Sequence, residues 1–124
     1  MMLKSYRELN VWKKADELAF RVYKLTETFP KQYLYDLTSQ LRRASLSIPT
    51  NLAEGCASPH TKELLQFINI AHRSLSETRY LLEFSHRLDL LEDTTIQDLE
   101  RQCGEIARMF GALTRSIRER KSRN

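Results

Sequence analysis

The chain has 124 residues, enough for one domain whose core needs neither disulfides nor metal. Three Gly and three Pro leave little turn material and argue against an all-β fold; the two cysteines, Cys56 and Cys103, have no metal or redox spacing and read as small apolar residues in a reducing compartment. The net charge is +4, but residues 106–124 hold six basic side chains and one acid, so the rest of the chain sums to −1.

The first segment carries Val11, Ala15, Leu18, Val22, Leu25 and Phe29 at alternating steps of four and three, the seam of an amphipathic helix. Ser5 and Glu8 have capping-box spacing and place the start near Tyr6, while Pro30 is expected to stop the helix. The second segment, with Asp36 or Thr38 as N-cap, has Leu37, Leu41, Ala44, Ile48 and Leu52 on one face. Beside them runs a polar stripe of Gln40, Arg43, Ser47, Asn51 and Glu54 at the same period. A solvated face has no need of so ordered a series, so the stripe is expected to face protein, either another helix or another subunit, as a buried hydrogen-bonded network that includes Glu77. Pro49 predicts a kink rather than a stop, because the apolar stripe stays in phase through Leu52, and Gly55 with Ser58-Pro59 predicts the end.

The third segment begins near Pro59 to Thr61, with Leu64, Ile68, Ala71, Leu75, Thr78, Leu82 and Ser85 as its seam. The fourth follows Asp93-Thr94-Thr95, with Ile96, Leu99, Cys103, Ile106, Phe110, Leu113 and Ile117 as its seam and a short basic tail over about 118–124. Four such segments with short connections predict an all-α, antiparallel up-and-down four-helix bundle, one domain over 1–124.

Five large side chains fall outside these seams. Phe20, Tyr23, Ile70, Tyr80 and Phe84 lie on the outer faces of the first and third helices, more apolar surface than scatter explains. They predict an oligomer interface.

The series TSQLRRA at Thr38–Ala44, SIPTN at Ser47–Asn51 and AEG at Ala53–Gly55 is the most specific signal in the chain. With LNVWKKA at Leu9–Ala15, VYKLTETFPK at Val22–Lys31 and IAHRSLSE at Ile70–Glu77, it resembles small four-helix-bundle proteins produced from intervening sequences in bacterial 23S ribosomal RNA genes. The resemblance spans nearly the whole chain; His72 and Arg73 depart from it, standing where many members have a small residue and Gly. It implies an all-helical homo-oligomer, typically a pentamer, and no defined enzymatic activity. Accessory proteins of diversity-generating retroelements, in the same superfamily, form pentamers that bind a reverse transcriptase and its RNA.

Candidate chemistry is sparse. His72 and His86 lie about 21 Å apart along one helix and cannot share a metal within a chain. No nucleophile elbow, phosphate-binding glycine loop or HExxH is present, and Glu54 with Glu77 reads as part of the polar network rather than as an acid–base pair. No catalytic residue, metal, cofactor or small-molecule substrate is expected. The fourth helix offers more. Arg101, Arg108 and Arg115 recur every seven residues opposite the seam, a line about 20 Å long, and Arg118, Arg120, Lys121 and Arg123 extend it. Repeated around an oligomer, this charge attracts nucleic acid, RNA or DNA, through counterion release without sequence specificity.

The expected function is a non-enzymatic homo-oligomeric scaffold that binds structured RNA or an RNA–protein complex electrostatically. Two alternatives stay open: an accessory subunit for a retroelement reverse transcriptase and its RNA, and a protein-only adaptor whose basic tail meets an acidic partner. No secretory segment opens the chain and no run approaches the ~18 apolar residues of a membrane helix, so a cytoplasmic location without membrane contact is expected.

Overall fold

A computed structural model describes residues 5–123, with the side chains of 121–123 outside the described set. Helix α1 spans Asn10–Thr26, α2 Ser39–Ala57, α3 Thr61–Arg87 and α4 Asp93–Arg123, and no strand occurs among the described residues. Each helix packs on its two neighbours in chain order, with α1 and α4 closing the ring. Cross-helix pairs fix the antiparallel sense. Lys14 meets Glu105 while Arg21 meets Asp98; Ser47 meets Ser74; Arg79 meets Glu100 while His86 meets Asp93. The fold is thus the four-helix bundle that the four seams predict.

The seams are the core. Val11, Ala15, Leu18 and Val22 of α1 are buried with Leu41, Ala44, Ile48 and Leu52 of α2. Ile68, Ala71, Leu75 and Leu82 of α3 close over them with Leu99, Cys103, Ile106 and Phe110 of α4. Each such aliphatic or aromatic side chain contributes about 1.5–3 kcal/mol on leaving water. His72 lies stacked on Phe110, ring centroids 5.5 Å apart, and so covers the core at the point where the chain departs from the family's small residue.

Helix ends differ from the sequence expectation in three places. Ser5 does cap, accepting from the Arg7 amide, but it starts a 3₁₀ turn over Tyr6–Glu8; the extended backbone of Leu9 interrupts before α1 begins. Helix α1 ends at Thr26 rather than at Pro30, and tight turns carry the chain to buried Phe29. Neither Asp36 nor Thr38 caps α2, because the chain is already helical: a 3₁₀ turn over Lys31–Tyr33 and a π turn over Leu34–Thr38 run straight into it. Helix α2 ends at Ala57 with Ser58 as its C-cap, where Gly55 and Ser58-Pro59 place the end, and Gly55 itself lies inside the last turn. Its role is close packing, since a Cβ there would stand 2.9 Å from Phe67 Cβ and 3.2 Å from Leu64 Cδ1.

Pro49 is buried inside α2, and Leu52 beyond it is fully buried on the core side. The turn into α4 depends on Asp89, whose φ of 61° is left-handed. The Asp89 amide donates to His86 O and the Leu90 amide to Ser85 O, a helix-ending pattern in which Asp stands where Gly is commonest. The basic tail expected over about 118–124 continues α4 as helix through Arg123.

Candidate nucleic-acid interface

Helix α4 changes character along its length. Its first half is exposed on one side and rich in acids, and these neutralise the cations around them. Asp98 accepts from Arg101 Nη2 at 2.5 Å and from Arg21 Nη1 at 2.5 Å, and Arg21 also donates to Gln102 Oε1 at 2.9 Å. The guanidinium of Arg101, and then that of Arg21, holds the Asp98 carboxyl below the usual carboxylate range. Glu100 pairs with Arg79 at 3.1 Å and Glu105 with Lys14 at 3.8 Å, while Lys24 of α1 pairs with Glu27 at 3.4 Å.

The second half has a single acid, Glu119, over residues 106–120. Arg108, Arg115, Arg118 and Arg120 are exposed there and form no ion pair among the described residues. They span about 18 Å at the helical rise. Gly104 and Gly111 sit four residues before Arg108 and Arg115. The Nη1 atom of each arginine lies 3.5 Å from where a glycine Cβ would be. Both side chains therefore lean back along the helix, the direction helical side chains favour, so the guanidinium groups form a row close to the helix surface. Lys121 and Arg123 extend α4, but their side chains lie outside the described residues. The sequence line of three arginines is thus divided by its neighbours: Arg101 is neutralised, while Arg108 and Arg115 join Arg118 and Arg120.

The residues expected at an oligomer interface are mostly on the surface of the single chain. Phe20 is 69% exposed, Tyr80 55% and Ile70 40%. Tyr23 is at the edge of exposure, and its ring is covered at 5.0 Å by the Arg42 guanidinium. Phe84 is half-buried against the core and pairs with Tyr80 at 6.2 Å. Leu34, Tyr35, Leu46 and Leu88 are also exposed, and the heptad assignment missed them. The turns over Lys31–Thr38 take Leu34 and Tyr35 out of any single helical phase, so periodicity could not have placed them.

Within the single chain the polar stripe lies mostly at the surface. Gln40, Arg43, Glu54 and Glu77 are exposed in the chain; only Ser47 and Asn51 are half-buried. Ser47 Oγ shares a hydrogen bond of 2.9 Å with Ser74 Oγ, and Asn51 Nδ2 donates to Ser47 Oγ at 2.8 Å. Arg43 Nη2 donates to Ser39 Oγ at 3.0 Å and meets no carboxylate. The stripe lies one step round the helix from the seam, so it edges the α2–α3 contact instead of entering it. There it borders a groove of about 700 Å³ lined by Tyr35, Gln40, Arg43, Ser47, Ser74 and Glu77.

No group of three or more His, Cys, Asp or Glu among the described residues is placed to hold a metal. Burial pushes the Cys103 thiol up to about 12, and half-buried Cys56 is also raised, so neither is a ready nucleophile at neutral pH. No helix among the described residues is long and apolar enough to cross a membrane.

Fold and surface together define a helical-bundle protein whose last helix ends in a basic, exposed segment. Comparison with known proteins then places it. The chain belongs to the 23S rRNA-intervening sequence protein family, whose profile matches residues 7–112. It is also similar in fold to a crystal structure from Bacteroides thetaiotaomicron, described as a protein of unknown function from the S23 ribosomal protein family. The TM-score is 0.77 and the identity 22%, covering 85% of this chain and 95% of the other. Among curated proteins nothing matches.

Proposed function

We propose that the protein is a non-enzymatic, ring-forming homo-oligomeric scaffold that binds nucleic acid, structured RNA above all, through the second half of α4. One observation carries this reading. Arg108, Arg115, Arg118 and Arg120 stand exposed on one helix, without ion pairs among the described residues, over a stretch whose single acid is Glu119. A row of unpaired guanidinium groups is suited to phosphate oxygens and binds them with release of counterions. The family's association with 23S rRNA genes agrees with an RNA ligand.

Ring assembly is supported by where the exposed apolar residues lie. Phe20 is on α1, whereas Ile70 and Tyr80 are on α3, the diagonal helix of the bundle. Two different patches suit a head-to-tail interface, which closes into a ring, better than a two-fold dimer. The resemblance implies a pentamer, and in a pentamer the basic row is repeated five times.

A salt titration tests the reading. With four phosphates neutralised per protomer, affinity for an RNA duplex should fall roughly a hundredfold between about 50 and 200 mM salt. Affinity that does not respond to salt contradicts it. Absence of binding at about 50 mM points instead to an acidic protein as the partner of the same arginines.

A further inference from the structure

A second cationic corner lies at the other end of the bundle. The π turn over Leu34–Thr38 projects Tyr35, which is 91% exposed, beside a pocket of about 340 Å³ between α1 and the start of α2. Arg42 and Arg43 both line this pocket, together with Tyr23, Leu34 and Thr38, and no acidic residue does. Among the described residues neither arginine forms an ion pair. Arg42 is fixed by its Nε bond of 2.8 Å to Thr26 Oγ1 and by the Tyr23 ring beneath it, while Arg43 is tied only to Ser39. Thr38 is 2% exposed and its hydroxyl has no hydrogen-bond partner. Asp36 and Glu77 line the neighbouring groove on the far side of Arg43, with Asp36 hydrogen-bonded to the Leu37 amide.

Two adjacent cations without carboxylates call for an anion, and an aromatic ring left almost wholly in water calls for a flat partner. One nucleotide unit supplies both, because a base stacks on an aromatic face while its phosphate takes the guanidinium groups. In a duplex the bases are stacked on one another and closed to such a ring. We propose that this corner is a contact for single-stranded nucleic acid, in which Arg42 and Arg43 hold a backbone phosphate and Tyr35 stacks on an unpaired base. The proposal rests on the nucleic-acid reading given above and extends it. Helix α4 binds backbone of any form, and the α1–α2 corner recognises unpaired segments. The two sites lie at opposite ends of the antiparallel bundle, since Arg21 stands level with Asp98, about 30 Å along α4 from Arg118. A structured RNA with a helix and a loop or free end would engage both.

The test is fluorescence anisotropy with a labelled uridine oligonucleotide of about 12 nucleotides and an RNA duplex of similar length, at about 50 mM salt. The proteins are wild type, Tyr35→Ala, Tyr35→Phe, Arg43→Gln, and the α4 double variant Arg108→Glu with Arg115→Glu. Tyr35→Ala should weaken the single strand roughly tenfold and leave the duplex within about twofold, and Tyr35→Phe should restore binding. Arg43→Gln should likewise weaken the single strand more than the duplex. Unchanged single-strand affinity in Tyr35→Ala, or equal loss for both probes, overturns the inference. So does a fall in oligomer mass on Tyr35→Ala, which would make the corner a subunit contact. The two readings fail separately. If the α4 variant loses the duplex while Tyr35→Ala changes nothing, the corner is wrong and α4 stands. If the α4 variant binds both probes normally while Tyr35→Ala loses the single strand, α4 is wrong and the corner stands. Wild type that binds neither probe overturns both.

Discussion

Gly55 and Arg43 show how far a residue's importance depends on which way it points. Gly55 lets α2 approach α3 with no side chain between, and an added Cβ would meet Phe67 Cβ at 2.9 Å. Gly55→Ala should therefore destabilise by about 1–3 kcal/mol through overpacking, despite the better helix propensity of Ala. Arg43 is exposed and tied only to Ser39, so Arg43→Ala should change stability by no more than about 0.5 kcal/mol. Thermal melts of the two variants decide the matter. A large loss at Arg43 would mean that the polar stripe is buried in the assembly. Asp98 gives a pH signature. Its carboxyl is held low by Arg101 and Arg21, so the folded state binds the proton less readily than the unfolded chain. Its contribution is present above the unfolded value near 4 and is lost as pH falls through the lower folded value. As pH falls below about 4 wild type should lose stability more steeply than Asp98→Asn, by a small margin because the pair is solvent-exposed. Parallel acid melts of the two proteins would refute this.

At the scale of the element, α2 is the telling case. Leu37, Leu41, Ala44, Ile48 and Leu52 follow one period in the sequence and are all buried, so the apolar face was legible without coordinates. The start of the helix was not. Asp36 and Thr38 look like caps because polar residues near an apolar run usually are, but 3₁₀ and π turns carry helical geometry back to Lys31. Those turns follow buried Phe29 and include buried Leu37, a tertiary placement that no local pattern encodes. The polar stripe shows a related limit: a helical period places side chains on a face, but only the neighbouring helix or subunit decides whether that face is covered. Pro49 remains the element's expected weak point. It has no amide for the Ser45 carbonyl and its ring crowds that turn, so α2 should bend there by more than about 20°. Helix axes measured from a crystal structure would show it, and a straight α2 would contradict it.

The whole molecule shows the same division. The basic row was legible as a charge imbalance at one end of the chain, because net charge needs no coordinates. That Arg101 is neutralised while Arg108 and Arg115 are not depends on Asp98 and Arg21, residues 77 apart in sequence and brought together by the bundle. The exposed apolar residues make a prediction about assembly. Tyr80→Asp should reduce the oligomer to smaller species in native mass spectrometry with helicity retained, because Tyr80 is on the surface and a charge there is costly only at an interface. Phe84→Asp is a poorer probe, since Phe84 also packs on the core. An unchanged mass for Tyr80→Asp would place the interface elsewhere.

The central claim is that the second half of α4 is the nucleic-acid surface. Its most direct test is the affinity of an RNA duplex for wild type and for the double variant Arg108→Glu with Arg115→Glu, at about 50 mM salt and with oligomer mass checked in parallel. Both residues are exposed and unpaired among the described residues, so the variant should fold and assemble as wild type does. The double variant should lose at least about tenfold in affinity, equally across sequences because phosphate contacts carry no base information. Wild-type affinity in the assembled double variant would contradict it.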